Sequence, residues 1–374
     1  MTLTITPDWV AVDWGTTRMR ATAIGTGPRS KGAGASRAAG ASTLVPTVLG
    51  ETPPGPGMGA LRAREFAPTL MAAIAPWLDG RTPDDPLDVL ACGMVGARQG
   101  WMEAPYVPVP ATLDGLLAHA VVPDTGDARV RVRIVPGLSQ DDPPDVMRGE
   151  ETQLLGLLAS GALAPPPSDE ASPGAAPAPS RDPVPDHLVV LPGTHSKWTL
   201  LRGGPASATG PERGGGAMVR APRVMGFSTH MTGELFALLS GESILRHSMP
   251  SAGASGARAS TEARDEGFAR GLELARYERG AVLDRLFAIR AASLLSEPRP
   301  EASRGLLSGL LIGAEIARAL PEGWQGPVHV VGAGSLAGLY ARALRALGHA
   351  AVVHDGGSLA IAGLAAMRGE AMAR

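Results

Sequence analysis

Apolar residues run through Trp9-Val10-Ala11-Val12, stop at Asp13, and return in alternation with polar ones after Gly15-Thr16-Thr17. That spacing predicts a short buried strand, a tight turn and a half-buried second strand. The arrangement recurs as an apolar run over 188–191, the turn Pro192-Gly193-Thr194 and a second run over 196–201. Two strand–Gly-Thr–strand hairpins in one chain point to an internal duplication. Between them the pattern predicts a helix over 69–78, a strand over 87–91 ending at Cys92-Gly93, a Val/Ile–Arg alternating strand over 129–135 and a helix over 150–159. After them come helices over 232–239, 261–277, 281–295 and 304–320, the last three spaced like a small bundle. The C-terminal stretch returns to strand (328–331), helix (336–347), strand (351–353) and helix (359–367). Residues 162–186 are dominated by Pro, Ala and Ser. They cannot bury enough apolar surface to offset their ordering entropy, so a disordered linker is expected there. The glycine-rich stretch 203–216 reads as an extended hairpin tip.

The two Gly-Thr turns suit phosphate. A carboxylate at a strand end binds Mg²⁺, usually through water, while the turn's N–H and hydroxyl donors meet phosphate oxygens. In the first hairpin these groups are Asp13, Gly15, Thr16 and Thr17; in the second they are Gly193 and Thr194, with His195 and Lys197 beyond. An ordinary hairpin with an Asx turn is the plain alternative. A third turn, Gly332-Ala333-Gly334-Ser335, closes a strand and opens a helix, so its N–H groups are placed to face a nucleotide or simply to make the turn. Only two of the 34 cationic Lys and Arg residues are lysines, and one of them is Lys197.

Composition narrows the class. A length of 374 residues leaves room for two cores, and a net charge of -2 implies no polyanionic partner. Cys92 is the single cysteine, so no intrachain disulfide or cysteine metal cluster forms. No apolar run reaches the ~18 residues a bilayer span requires, and no signal-peptide pattern opens the chain. A cytoplasmic enzyme acting on small molecules, with neither nucleic acid nor membrane as partner, is the expectation.

The order phosphate turn, connecting segment, phosphate turn, glycine-rich loop resembles the actin, Hsp70 and sugar-kinase superfamily. Within it the chain is similar to the 2-dehydro-3-deoxygalactonokinases. The motifs that carry the resemblance are Val12-Asp13-Trp14-Gly15-Thr16-Thr17, Cys92-Gly93-Met94-Val95-Gly96, Ala104-Pro105-Tyr106-Val107-Pro108-Val109-Pro110, Pro136-Gly137-Leu138, Val146 to Leu154, Leu191 to Trp198, Met231 to Leu235, and Ser308 to Glu315. The resemblance implies an actin-like ATPase (ribonuclease H-like) fold of two α/β domains with a cleft between them. It also implies ATP and Mg²⁺, and transfer of phosphate to O6 of 2-dehydro-3-deoxy-D-galactonate in galactonate catabolism. The domains would be 1–161, with the first phosphate turn, and 187–374, with the second turn, a helical insertion and the adenosine loop. Against relatives of this kind, 162–186 looks like an insertion. An exopolyphosphatase-like phosphohydrolase and a non-catalytic nucleotide-gated module are the competing classes; the first would want a basic channel, for which the charge balance gives no support. A homodimer stays open.

Phosphoryl transfer needs a carboxylate near the attacking hydroxyl. Related sugar kinases place a Gly-Asp at a helix start shortly before the second phosphate turn, and that aspartate is the base. The similar position here nominates Glu150, with Glu151 also within reach; acidic caps of a first helical turn are the alternative. Arg148 stands to pair with a substrate carboxylate or with Glu151. Arg98 and Trp101 follow a loop that suits a sugar acid, whose carboxylate matches a bidentate arginine; a surface ion pair is the other reading. Thr232-Gly233-Glu234 reads as a helix N-cap with acidic support. Leu191-Pro192 stand where the superfamily often has an aspartate, which leaves Asp13 as the main metal-side acid.

Overall fold

The structure, a computed structural model, describes residues 5–27, 45–113, 115–163, 186–202, 223–249, 257–277 and 282–372. The expected linker over 162–186 lies, apart from its ends, outside the described residues, and so does the expected hairpin tip over 203–216. The chain divides into two compact units, one of Met1–Val184, Gly203–Val224 and Gly357–Arg374, the other of Pro185–Arg202 and Met225–Gly356. Among the described residues no helix is long and apolar enough to cross a membrane.

The first unit contains β1 (Trp9–Trp14), β2 (Arg18–Gly27), β3 (Val45–Glu51), β4 (Gly55–Pro56), α1 (Phe66–Ile74), β5 (Leu87–Cys92), β6 (Tyr106–Pro108), β7 (Ala111–Thr112), β8 (Val130–Ile134), β9 (Gly137–Asp141), β10 (Pro144–Met147) and α2 (Glu150–Ala159). Its main sheet runs β3-β2-β1-β5-β8, with β4 also on β2, and a small sheet runs β10-β9-β6. The hairpin β1–β2 is antiparallel, whereas β5 and β8 are parallel additions. Parallel strands are covered on both faces, which is why Leu87–Cys92 is apolar almost throughout. The α1 helix spaces Phe66, Leu70 and Ile74 four apart, so all three enter the core with Val10, Val12, Trp14, Val89 and Val132. Each such burial is worth about 1.5–3 kcal/mol. This helix starts three residues earlier than the apolar spacing predicts and ends in a 3₁₀ turn over Ala75–Trp77, where Pro76 cannot continue it.

The second unit contains β11 (His187–Leu191), β12 (Ser196–Arg202), β13 (Arg223–His230), α3 (Thr232–Gly241), α4 (Ala257–Tyr277), α5 (Val282–Leu295), α6 (Pro300–Ala319), β14 (Val328–Gly332), α7 (Gly334–Ala346) and β15 (Ala351–Asp355). Its strands lie in the order β15-β14-β11-β12-β13. The hairpin β11–β12 is antiparallel and β14 is parallel to β11, repeating the arrangement of β1, β2 and β5. The core beneath it joins Leu188, Val190, Trp198, Val328 and Val330 to Tyr340 and Leu344 of α7. Helices α4 and α6 cross with their backbones in contact. A Cβ on Gly305 would overlap the Arg264 carbonyl, and one on Gly309 would overlap that of Phe268 and lie 3.0 Å from the Gly271 Cα. Only glycine permits this approach, and the helices accept its entropic cost in exchange for the close packing.

The last helix, α8 (Gly356–Met372), falls almost wholly in the first unit, whereas the sequence reading keeps 187–374 together. Its Leu359 and Gly363 lie against Gly156 and Thr152 of α2.

Candidate active site

In the first unit the Gly15–Thr17 turn joins β1 to β2, and the Gly15 N–H closes it on the Arg18 carbonyl at 3.0 Å. A strap over 57–59 braces it from one side. The N–H groups of Gly57, Met58 and Gly59 donate to the carbonyls of Thr17 (3.1 Å), Gly15 (3.0 Å) and Thr16 (2.9 Å), and the Trp14 indole donates to the Pro56 carbonyl at 3.1 Å. With three carbonyls turned to the strap, the exposed Thr16 and Thr17 are held in one geometry. No hydrophobic spacing marks this brace, so the sequence reading missed it; the Pro-Gly repetition over 53–59 was the available signal.

Three chain segments meet behind that turn. Asp13 pairs in register with Cys92 of β5 and stands opposite Arg20 of β2. Gly93 (φ 94°) puts its Cα hydrogens where a Cβ would lie 2.9 Å from the Trp14 carbonyl. Gly149 (φ 104°) in turn lies against Gly93, where a Cβ would be 3.1 Å from its Cα. Both positive φ values and both contacts require glycine. This is how the α2 N-terminus is brought to the end of β1. Burial pushes the Asp13 carboxyl above its usual range, with the Arg20 charge pulling it back. The buried Cys92 thiol is pushed up by burial and then by the charges of Asp13 and Glu151, so all three side chains share one electrostatic neighbourhood. The thiol is held as a neutral packing group.

The two glutamates differ sharply. Glu151 is fully buried. Its Oε2 accepts from the Gly149 N–H at 2.7 Å and its Oε1 from the Thr152 hydroxyl at 3.1 Å. Burial, followed by the Glu150 charge, pushes its pKa up to about 8, which leaves it protonated at neutral pH. Glu150 is half-buried, and its Oε2 accepts from the Arg148 N–H at 3.0 Å.

Arg148 is buried and does not engage Glu151. Its Nη2 donates to the Ala104 carbonyl at 2.8 Å, its guanidinium lies 4.2 Å over the Tyr106 ring, and Nε and Nη1 have no hydrogen-bond partner among the described residues. Arg98 is 80 % exposed at the side chain and pairs with Glu103 at 3.4 Å, the surface arrangement held open above. Trp101 packs toward the core, stacked on Phe66 at 6.4 Å and edge-on to Trp14 at 6.3 Å.

In the second unit Pro192-Gly193-Thr194-His195 connects β11 to β12. Gly233 closes on this turn so tightly that a Cβ would overlap the Gly193 carbonyl. The Glu234 N–H donates to the Thr194 carbonyl at 3.0 Å, and the His195 Nε2 meets the Glu234 carboxylate at 2.5 Å. The capping expectation for Thr232-Gly233-Glu234 is corrected here. The α3 N-cap is Met231, whose side chain has no oxygen to cap with; Thr232 is the first helical residue and bonds the Tyr340 hydroxyl, and Glu234 meets His195. Lys197 is buried in β12, its Nζ donating to the His195 carbonyl at 3.2 Å. Gly332 ends β14, Ala333 is extended, and Gly334 (φ 65°) and Ser335 open α7 with exposed N-terminal residues. A cavity of about 250 Å³ lies beside them, lined by Gly233, Phe236, Phe268, Ser308, Leu336 and Leu339. Its walls come from four helices, so no local pattern announces it.

Among the described residues no group of three or more His, Cys, Asp or Glu could hold a metal by itself. A single strand-end carboxylate, Asp13, fits Mg²⁺, which keeps several waters and takes the rest of its shell from substrate phosphates.

The comparisons with known proteins agree with one another. A family model described as 2-keto-3-deoxy-galactonokinase matches residues 13–367. The chain is 37 % identical over 286 residues to a Rhizobium meliloti (strain 1021) protein described as a candidate 2-dehydro-3-deoxygalactonokinase, covering 75 % of this chain and 77 % of that one. It is 31 % identical over 348 residues to the 2-dehydro-3-deoxygalactonokinase of Escherichia coli (strain K12), covering 92 % and 91 %. A crystal structure from Sinorhizobium meliloti, described as a candidate 2-dehydro-3-deoxygalactonokinase, superposes with a TM-score of 0.70 at 34 % identity, covering 96 % of this chain and 95 % of that one.

Proposed function

We propose the following reaction for this chain, which belongs to the 2-keto-3-deoxy-galactonokinase family: the γ-phosphoryl group of ATP passes to O6 of 2-dehydro-3-deoxy-D-galactonate, giving the 6-phosphate and ADP. The observation that carries the reading is the family match over residues 13–367, which includes both Gly-Thr turns and the glycine-rich loop. The fold is accordingly the actin-like ATPase fold of sugar kinases.

Each site residue takes a role in that reaction. Gly15, Thr16 and Thr17 of the braced turn, with Gly193 and Thr194 of the second, offer N–H and hydroxyl donors to the phosphates. Asp13 is the residue that would hold Mg²⁺, and that ion would supply neutralising charge for the transferred phosphate. His195, oriented by Glu234, and Lys197 stand beside the second turn as donors to phosphate. Gly332, Gly334 and Ser335 meet the adenosine. Glu150 takes the proton from the 6-hydroxyl: it is the accessible member of the pair, and the helix N-terminus supports its charge. Glu151, protonated at neutral pH, is a poor proton acceptor and instead holds the Gly149 N–H. Arg148, two of whose buried guanidinium nitrogens have no hydrogen-bond partner among the described residues, and Arg98 are assigned to the substrate carboxylate, with Trp101 backing that segment. The enzyme acts in the cytoplasm on small molecules, within galactonate catabolism, and a homodimer is compatible with this role.

A coupled ADP-release assay against a panel of 2-keto-3-deoxy sugar acids tests the reading. ADP release should require the sugar acid, and ³¹P NMR should show a phosphomonoester on O6. ATP loss independent of the sugar acid, or consumption of polyphosphate, would reject it.

A further inference from the structure

The Ser308–Glu315 motif has no role in the reaction above, and it ends in a buried acid of unusual connectivity. Among the described residues Glu315 and Glu151 are the acids that are buried. The Glu315 Oε2 accepts from the Ser196 hydroxyl at 2.9 Å and the Tyr340 hydroxyl at 2.7 Å, and its Oε1 accepts from the Trp198 indole at 2.7 Å. The Ser196 and Tyr340 oxygens are themselves 3.3 Å apart, and Thr232 bonds the Tyr340 hydroxyl. Ser196 also lies 3.3 Å from the His230 carbonyl. One carboxylate in α6 thus gathers donors from β12 and α7.

The positions it gathers are not arbitrary. Ser196 is the residue after the Pro192–His195 turn. Tyr340 lies in α7, the helix that Gly334 and Ser335 open. Thr232 immediately precedes Gly233, which packs on the Gly193 carbonyl. The strand that follows the turn assigned to phosphate and the helix that follows the loop assigned to adenosine are therefore both anchored to the same carboxylate oxygen, the Glu315 Oε2. We propose that Glu315 is a positioning residue for ATP: it sets the spacing between the second phosphate turn and the adenosine loop and touches neither substrate. This rests on the reading of those two segments as ATP-binding.

The distinction from a purely structural acid lies in which affinity moves. Replacing Glu315 with Gln keeps an oxygen for the indole, while the amide NH₂ donates to the hydroxyl oxygens of Ser196 and Tyr340, which can accept as well as donate. Replacement with Leu fills the volume, strands the buried Trp198 indole N–H, and leaves Ser196 and Tyr340 only the longer 3.3 Å bonds to the His230 carbonyl and to each other. Calorimetry with MgATP and, separately, with the sugar acid, at a temperature well below the melting transition of every variant, reads the result. Glu315→Leu should weaken MgATP binding at least tenfold and leave sugar-acid binding within twofold; Glu315→Gln should stay within threefold of the parent for both. Should Glu315→Leu fail to fold, Tyr340→Phe, which removes the α7 donor alone, should weaken MgATP binding by about threefold or more with the sugar acid unaffected. A lowered melting temperature with unchanged MgATP affinity in the folded variant, or equal losses for both ligands, would overturn the positioning role. A parent that binds no MgATP would instead reject the ATP assignment itself.

Discussion

Glu151→Gln is expected to make the protein's stability less dependent on pH, and the size of the effect follows from the site. The carboxyl is fully buried and titrates near 8 instead of 4.5. Below pH 4.5 it is protonated whether the chain is folded or not. Between 4.5 and 8 the folded form keeps the proton that the unfolded form has released, so stability falls as pH rises. At about 1.4 kcal/mol per decade of acidity, the full loss is about 5 kcal/mol, levelling off about one pH unit above 8. Glutamine removes the titration while preserving the local bonds: its amide oxygen accepts from the Gly149 N–H and its amide NH₂ donates to the Thr152 hydroxyl. Urea unfolding of the unliganded parent and variant, followed by tryptophan fluorescence, measures the difference. The variant should gain on the parent by roughly 3 kcal/mol between pH 5.5 and 8.5. A difference between the two proteins that stays constant to within about 0.5 kcal/mol across that range would show that Glu151 is ionised in the folded state. That result would also return it to candidacy as the base.

Asp13→Asn should fold normally and lose at least ~10²-fold in turnover, because a metal-side charge is worth several kcal/mol in the transition state; full activity with Mg²⁺ would remove Asp13 from the phosphate site. Gly309→Ala should lower the melting temperature even though alanine is about 1 kcal/mol the better helix former, since the overlap with the Phe268 carbonyl costs about 1–3 kcal/mol or more. A variant that melts at or above the parent temperature would contradict the α4–α6 contact.

Much of this architecture was legible because it is local. Both hairpins, Leu87–Cys92 and the helices from Thr232 onward are visible as apolar runs or three–four spacing, with ends shifted by a few residues where caps decide them. The order of the three turns carried the superfamily, and the motifs spread from Val12 to Glu315 carried the family. What escaped is nonlocal or lacks apolar periodicity. Strand β3 carries Pro46 and Gly50, β9 reads Gly-Leu-Ser-Gln-Asp, and both pair only because neighbouring strands offer an edge. The strap over 57–59 and the Glu315 cluster join residues distant in sequence. Glu234 looked like a cap because acids near helix starts usually are; its partner, His195, lies 39 residues away. The different surroundings of the adjacent Glu150 and Glu151 follow from which one helix α2 turns inward, and the Gly149–Gly93 contact decides that.

The central claim is that a carboxylate at the head of α2 serves ATP-dependent phosphorylation of a sugar acid, and Glu150→Gln tests it most directly. Turnover with 2-dehydro-3-deoxy-D-galactonate should fall by ~10²-fold or more, the usual range for a general base. The MgATP dissociation constant should stay within about threefold of the parent. In the same assay Glu151→Gln should keep turnover within a few-fold at pH 7. Parental turnover in Glu150→Gln, or a crippled Glu151→Gln beside an active Glu150→Gln, would contradict the assignment.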